Sequence, residues 1–342
     1  MTVALKWLAV VAGLLLLGWY ISQADLASMG DALRRLGWLA PLILVPYFLT
    51  YVADCLGWWF AFPKKPGVPF LTLFRIRWAG ESLNNIVPSA YIGGEALKVY
   101  LLQRRGIPGG IGAASAVVSK TAQTVAQVLL ISCASIAFLY VGGDHPELRA
   151  GMLLVLIAGV LIVAGLFWIQ RRGLLSVLCS LAHAVRLRVR AIETRRARIE
   201  EVDRTISGFY RRHPRRFFAS TGFYFGGWLL DTMEIYLAAR LLGMPITWWQ
   251  ALCVEAFTGV AKALGMWVPG SLGVQESGIV LLGRLAGLPD TLSFAYALLR
   301  RAREIIFVII GWMLLYGQEA PFRLRRPAAK PPQNGRQNLD AG

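Results

Sequence analysis

Val87-Pro88-Ser89-Ala90-Tyr91-Ile92-Gly93-Gly94-Glu95 interrupts an apolar stretch with a proline, two glycines and a glutamate. Val268-Pro269-Gly270-Ser271-Leu272-Gly273-Val274-Gln275-Glu276 does the same 181 residues later. At that offset, without a gap, Leu83, Val87, Pro88, Glu95, Val99, Leu101, Gly106, Pro108, Ala114 and Ala116 fall on Leu264, Val268, Pro269, Glu276, Val280, Leu282, Gly287, Pro289, Ala295 and Ala297. This gives 10 identities in the 38 positions 83–120, and Lys120 itself falls on Arg301. Apolar composition alone would match leucines and alanines, but not both prolines, the glycine and the glutamate. A duplicated unit with a broken helix in each copy is the signature of a membrane transporter.

The rest of the chain agrees with a membrane setting. Of 342 residues, 56% are hydrophobic and 16% charged, with a mean hydropathy of +0.54; a soluble domain carries about a quarter charged residues. Stretches apolar and long enough to span occur at 5–21, 38–62, 111–141, 152–169, 217–242 and 291–316. The first has no Ala-x-Ala-like cleavage site after it and reads as a retained anchor. The expected fold is therefore an all-α integral membrane protein, with about six transmembrane helices and two re-entrant helical hairpins in an inverted repeat.

Charge sets the orientation. The segment 171–216 holds 13 arginines against Glu193, Glu200, Glu201 and Asp203, and the tail carries Arg323, Arg325, Arg326, Lys330 and Arg336 against Asp340. Both belong in the cytoplasm by the positive-inside rule. Because the basic segments flank spans, anionic headgroups are the expected contact, and no nucleic acid is. With both segments inside, three crossings separate the copies of the broken helix. That odd number makes the repeats antiparallel. The reading gives a single polytopic domain, 1–320, with repeat one at 38–141, repeat two at 217–318, and a basic, disordered tail at 321–342. Both termini are cytoplasmic. Hairpin arms are expected at 70–87 and 91–104, and again within 247–286. Ile192, Ile199, Val202 and Ile206 share a helical face, which suits a helix on the membrane surface or a solvated linker.

Few residues carry chemistry. Cys55, Cys133, Cys179 and Cys253 have no CxxC spacing and read as small core residues. His145, His183 and His213 share no ligand spacing, and there is no P-loop or dinucleotide fingerprint. Neither a metal nor a cofactor is expected. Glu95 and Glu276 open an apolar arm in each copy. Either they cap it, or they face a polar cavity at membrane depth, where a bare carboxylate is costly. Lys120 and Arg301 follow them by 25 residues. Ser115, Ser119, Gln123 and Gln127 make a polar stripe beside Lys120. Tyr296, Arg300 and Glu304 repeat it, with Arg300 and Glu304 spaced for an i,i+4 pair. These cations either pair internally or form a groove for a lipid phosphate. Pro88, Gly93 and Gly94, with Pro269, Gly270 and Gly273, mark the broken helices. Either they let the hairpins pack closely or they expose backbone N–H groups to an anion. Asn84, Asn85, Lys98 and Asp231 complete the candidate binding set, and Glu234, Glu255 and Lys262 extend the polar interior.

The runs from Glu81 to Glu95 and from Pro269 to Glu276 resemble the flippase-like family, whose members look like the transmembrane region of lysylphosphatidylglycerol synthases. The resemblance extends from the first span to about Gly317. It implies lipid translocation as the activity. Synthases of that family also carry a C-terminal aminoacyl-transfer domain, which is not expected here because the chain ends at Gly342. Ala53-Asp54-Cys55-Leu56-Gly57-Trp58 looks most like a stand-alone branch associated with hopanoid biosynthesis. The expected partners are therefore membrane lipids (an anionic phospholipid, an aminoacyl-lipid or a hopanoid) and lipid-biosynthesis proteins. The expected location is the bacterial inner membrane. An integral membrane enzyme, or an accessory subunit or scaffold of an isoprenoid or polyprenyl-lipid complex, is the alternative.

Overall fold

The computed structural model describes residues 37–87, 92–141, 146–172, 196–265 and 268–323. The span expected at 5–21, residue Pro88 and the tail from 324 lie outside them. The described residues form ten α-helices and no strand. After a 3-10 turn, Gly37–Ile43, come α1 (Leu44–Phe60), α2 (Phe70–Ile86), α3 (Ile92–Gln103), α4 (Gly109–Val141), α5 (Pro146–Arg172), α6 (Arg196–Arg212), α7 (Pro214–Leu241), α8 (Trp248–Leu264), α9 (Val274–Leu285) and α10 (Asp290–Arg323).

Local chemistry sets the hairpin ends. Val87 leaves helical geometry for φ −92°, ψ 119°, as the residue before a proline must. Thr247 and Gln250 form a capping box at the start of α8. Pro214 occupies the first turn of α7, where its missing N–H is not needed. The two hairpins have the same anatomy. α2 and α8 have 17 residues each, and α3 and α9 have 12. At about 26 and 18 Å, the arms fall short of the roughly 30 Å hydrocarbon core. Gly109 and Asp290, the first residues of α4 and α10, stand at the offset of the sequence match.

Among the described residues, three helical stretches are long and apolar enough to cross a membrane: Pro41–Phe60, Gly109–Leu139 and Arg149–Trp168. These correspond to the spans expected at 38–62, 111–141 and 152–169. The segments 217–242 and 291–316 form the long helices α7 and α10 but are too polar by composition to qualify. α7 carries Asp231 and Glu234, α10 carries Arg300, Arg301, Arg303 and Glu304, and all of these except the half-buried Arg301 are buried against other helices. The first and second halves interlock. α10 packs on α2, and α4 packs on α8. Phe307 of α10 enters an aromatic cluster of Tyr47, Tyr51 and Trp78, and Trp78 Nε1 donates to its carbonyl at 2.8 Å. α1 and α7 are antiparallel: Thr50 donates to the Gly227 carbonyl, and Ser220 to that of Gly57.

Two expectations need correction here. Where it is described, the apolar face of α6 is covered by protein rather than lying on a membrane surface or in solvent; Ile192 and the side chain of Ile199 lie outside the described residues. Val202, Ile206 and Phe209 join the main core, because α6 packs across α4. Cys133 is exposed on α4, unlike the buried Cys55, because its position faces away from the helices that cover the rest of α4.

Candidate functional site

The break in the second hairpin is built from backbone that favours glycine. Gly270, inside the 3-10 turn Pro269–Ser271, has φ 60°, and Gly273 just after it has φ 76°. Glu276 then caps α9, its Oε2 accepting the Gly273 N–H at 2.8 Å. Its Oε1 accepts Arg301 Nε at 2.6 Å, and Arg301 Nη1 also donates to the Gly270 carbonyl at 3.0 Å. Glu276 is thus both the cap of α9 and the internal partner of Arg301.

α10 carries the cations of this half to three different helices. Arg300 makes a bidentate pair with Glu255 of α8, so its carboxylate partner is Glu255 rather than Glu304 one turn on. It also donates to the Tyr296 hydroxyl. Arg301 binds Glu276 of α9 and lies 3.0 Å from Glu304. Arg303 binds Glu234 of α7 and lies 3.7 Å from Asp231. Glu304 takes Lys262 of α8 at 3.2 Å and Gln275 of α9 at 3.1 Å instead. An i,i+4 pair at the surface of one helix is worth only a few tenths of a kcal/mol. The buried acids on α8 and α9 attract these arginines more strongly because little water screens them.

The first hairpin is held differently. Asn84 Oδ1 accepts the Gly94 N–H at 2.8 Å, tying α2 to α3. Glu95 pairs with Lys98 at 2.6 Å, and the buried Lys98 ammonium sits 5.5 Å from the Trp58 ring centre. The partner seen for Glu95 is thus one turn away on its own helix, whereas Glu276 takes Arg301 from 25 residues on. Lys120 is exposed and donates to Gln123 at 3.1 Å, although it is the twelfth residue of a 33-residue helix. The stripe beside it is partly structural. Ser115 accepts from Trp58, and Ser119 bonds the Tyr224 hydroxyl.

The end of α2 meets the second break. A Cβ on Gly270 would lie 3.3 Å from the Asn85 carbonyl, so the tip of the first hairpin touches the turn of the second. Near this junction Glu81 of α2 sits in the field of Arg77, Lys98, Lys120 and Lys262, cations drawn from both halves. Sequence reasoning left two features without a role. One is the pairing of Asp54 on α1 with Arg77 on α2. The other is the cationic surround of Glu81. Charged residues in otherwise apolar helices were the available signal, but sequence spacing cannot pair residues on different helices.

A helical membrane protein with two short helical hairpins and a charged interior is the class this arrangement defines. The model for the lysylphosphatidylglycerol synthase TM region matches residues 6–311, and the chain belongs to that family. It is also similar to a UPF0104 membrane protein of Pyrococcus horikoshii, with 25% identity over 317 residues covering 86% of this chain and 92% of that one. No solved structure matches.

Proposed function

We propose that the protein moves a lipid headgroup between leaflets through a polar groove where the two hairpins meet. The observation that carries this is Lys120. A lysine exposed in the middle of a spanning helix is too costly to leave against lipid and belongs beside water or a polar ligand. Around it are Gln123 and Gln127, half-buried on the same face, together with Glu81 and Lys262. The hairpin tips, with Ile92 and Leu264 widely exposed, offer an apolar wall for acyl chains. Lys120 attracts the phosphate. Glu95, held by Lys98, and the hairpin glycines line or gate the path. The substrate is an amphipathic lipid, either an anionic phospholipid, an aminoacyl-lipid or a hopanoid. Lipid-biosynthesis proteins supply it.

The equal hairpins and the antiparallel α1 and α7, which introduce them, support entry from opposite faces of the membrane. Six spans with both termini cytoplasmic in a bacterial inner membrane complete this reading.

The test is exchange of fluorescent phospholipids in proteoliposomes, followed by dithionite quenching against empty liposomes. The intact protein accelerates exchange. Lys120→Glu removes one charge-assisted contact, worth about 1.5–3 kcal/mol, and slows exchange roughly tenfold to a hundredfold. Exchange no faster than in empty liposomes, for phospholipid and hopanoid alike, ends the proposal.

A further inference from the structure

Charges around Arg303 do not balance. Asp231 and Glu234 reach this region from α7, Glu255 from α8, and Arg300 and Arg303 from α10. Three carboxylates meet two guanidiniums, with every side chain at most 8% exposed. Glu255 occupies Arg300 through both oxygens. Asp231 and Glu234 are left to share Arg303. The adjoining acids do not relieve this, because Glu276 and Glu304 are matched by Arg301 and Lys262. The surplus negative charge therefore belongs to Asp231 and Glu234, one helical turn apart.

Two further observations mark the place as incompletely satisfied. Oε1 of the fully buried Glu234 accepts no hydrogen bond, its Oε2 meets only the Arg303 guanidinium, and Arg303 Nε finds no acceptor. The other polar groups facing the pair are neutral or already committed. From α1, the Tyr47 ring lies 3.5 Å from the Arg303 guanidinium and the Thr50 hydroxyl lies 3.2 Å from Asp231 Oδ1, its one proton contested by the Gly227 carbonyl. Asp54 faces α7 at Gly227, one turn before Asp231, but is held by Arg77. From α10, Tyr296 accepts from Arg300. An ionised carboxylate without its own counter-charge is far costlier in such an interior than a neutral carboxyl. Two carboxylates sharing a site solve this by holding one proton between them.

We propose that Asp231 and Glu234 form a proton-binding site that holds one exchangeable proton and supplies the coupling ion for translocation. The coupling rests on the function proposed above; the proton site does not. A proton fits better than a metal ion because it needs only one carboxylate oxygen, whereas a metal ion needs several oxygen ligands around it. Moreover, no three acidic, histidine or cysteine side chains among the described residues converge as a metal cage. When the proton binds, one carboxylate becomes a carboxyl and Arg303 is held by a single negative charge. When it leaves, both carboxylates hold Arg303. Occupancy thus changes how firmly α10 is tied to α7. α10 also carries Arg301, which grips the turn of the second hairpin.

Infrared spectroscopy of the full-length protein in lipid nanodiscs tests the site without reference to transport. A protonated-carboxyl C=O band, shifted by deuterium exchange and bleached as pH is raised, is expected across neutral pH. It is lost in both Glu234→Gln and Asp231→Asn, since either change leaves one carboxylate for Arg303. In proteoliposomes a pH gradient of one unit then biases the steady-state lipid distribution up to about tenfold, and both variants lose the bias. Absence of the band in the unaltered protein overturns the site, and needs no variant to fold. Persistence of the band in both folded variants overturns the assignment to this pair. A bias that follows a sodium gradient and ignores pH overturns the proton as coupling ion. A band behaving as expected in a protein that exchanges no lipid supports the proton site while refuting translocation.

Discussion

Glu276 serves two purposes at once. One carboxylate oxygen satisfies a free N–H at the start of α9, and the other binds Arg301. Gly94 is equally specific. A Cβ there would stand 2.1 Å from the Gly80 carbonyl and 2.4 Å from Asn84 Oδ1. Because a backbone oxygen cannot swing aside as a side chain does, Gly94→Ala must push α2 and α3 apart and weaken the Asn84 hydrogen bond. Overpacking of this kind costs about 1–3 kcal/mol. Thermal unfolding in detergent should show a lower midpoint for Gly94→Ala. Gly208→Ala, at a helical glycine with open space around it, should leave the midpoint in place or raise it. Equal midpoints for the two variants would contradict the close contact.

At the scale of elements, α10 is the tie. Arg300, Arg301 and Arg303 lie within four residues and bind acids on α8, α9 and α7. Removing one member of a buried pair strands the other charge, a loss of about 3–5 kcal/mol. Replacing both members with apolar residues is often neutral. Glu255→Gln should therefore destabilise the protein strongly, whereas Glu255→Leu combined with Arg300→Met should recover much of the loss in a double-mutant cycle. Additive effects would mean that the pair is not coupled. The helix ends of the first hairpin and the outer ends of the second were legible in sequence to within a residue or two, because prolines, glycines and a capping Thr247 fix them locally. The partners of the charges were not. Glu304 lies one turn from Arg300, yet Glu255, 45 residues away, takes that arginine. Local spacing lists the pairs a helix permits, and burial between helices chooses among them. The face of α6 was misread for the same reason. Its apolar residues show in the sequence, but the covering surface of α4 does not.

At the scale of the whole molecule, parity makes a claim that can be tested directly. If the hairpins enter from opposite faces, the turns that precede them must lie on opposite sides of the membrane. Lys65 and Pro245 are exposed residues in those turns, after α1 and α7. α1 and α7 are packed antiparallel through Thr50, Gly227, Gly57 and Ser220, with both glycines giving close approach. Gly57 would place a Cβ 2.7 Å from the Tyr224 ring, so the crossing leaves little room to rotate. Two antiparallel helices that both lead into hairpins must deliver them from opposite ends. The measurement uses a background in which Cys55, Cys133, Cys179 and Cys253 are replaced, with Lys65→Cys and Pro245→Cys introduced singly. In intact cells a membrane-impermeant maleimide should label the cysteine at 245 and spare the one at 65. In inside-out vesicles the pattern should reverse. Labelling of both from one side would place the hairpins on the same face, and the groove between their tips would then open to only one leaflet. A lipid path across the membrane needs access to both, so the topology experiment bears on function as well as on fold.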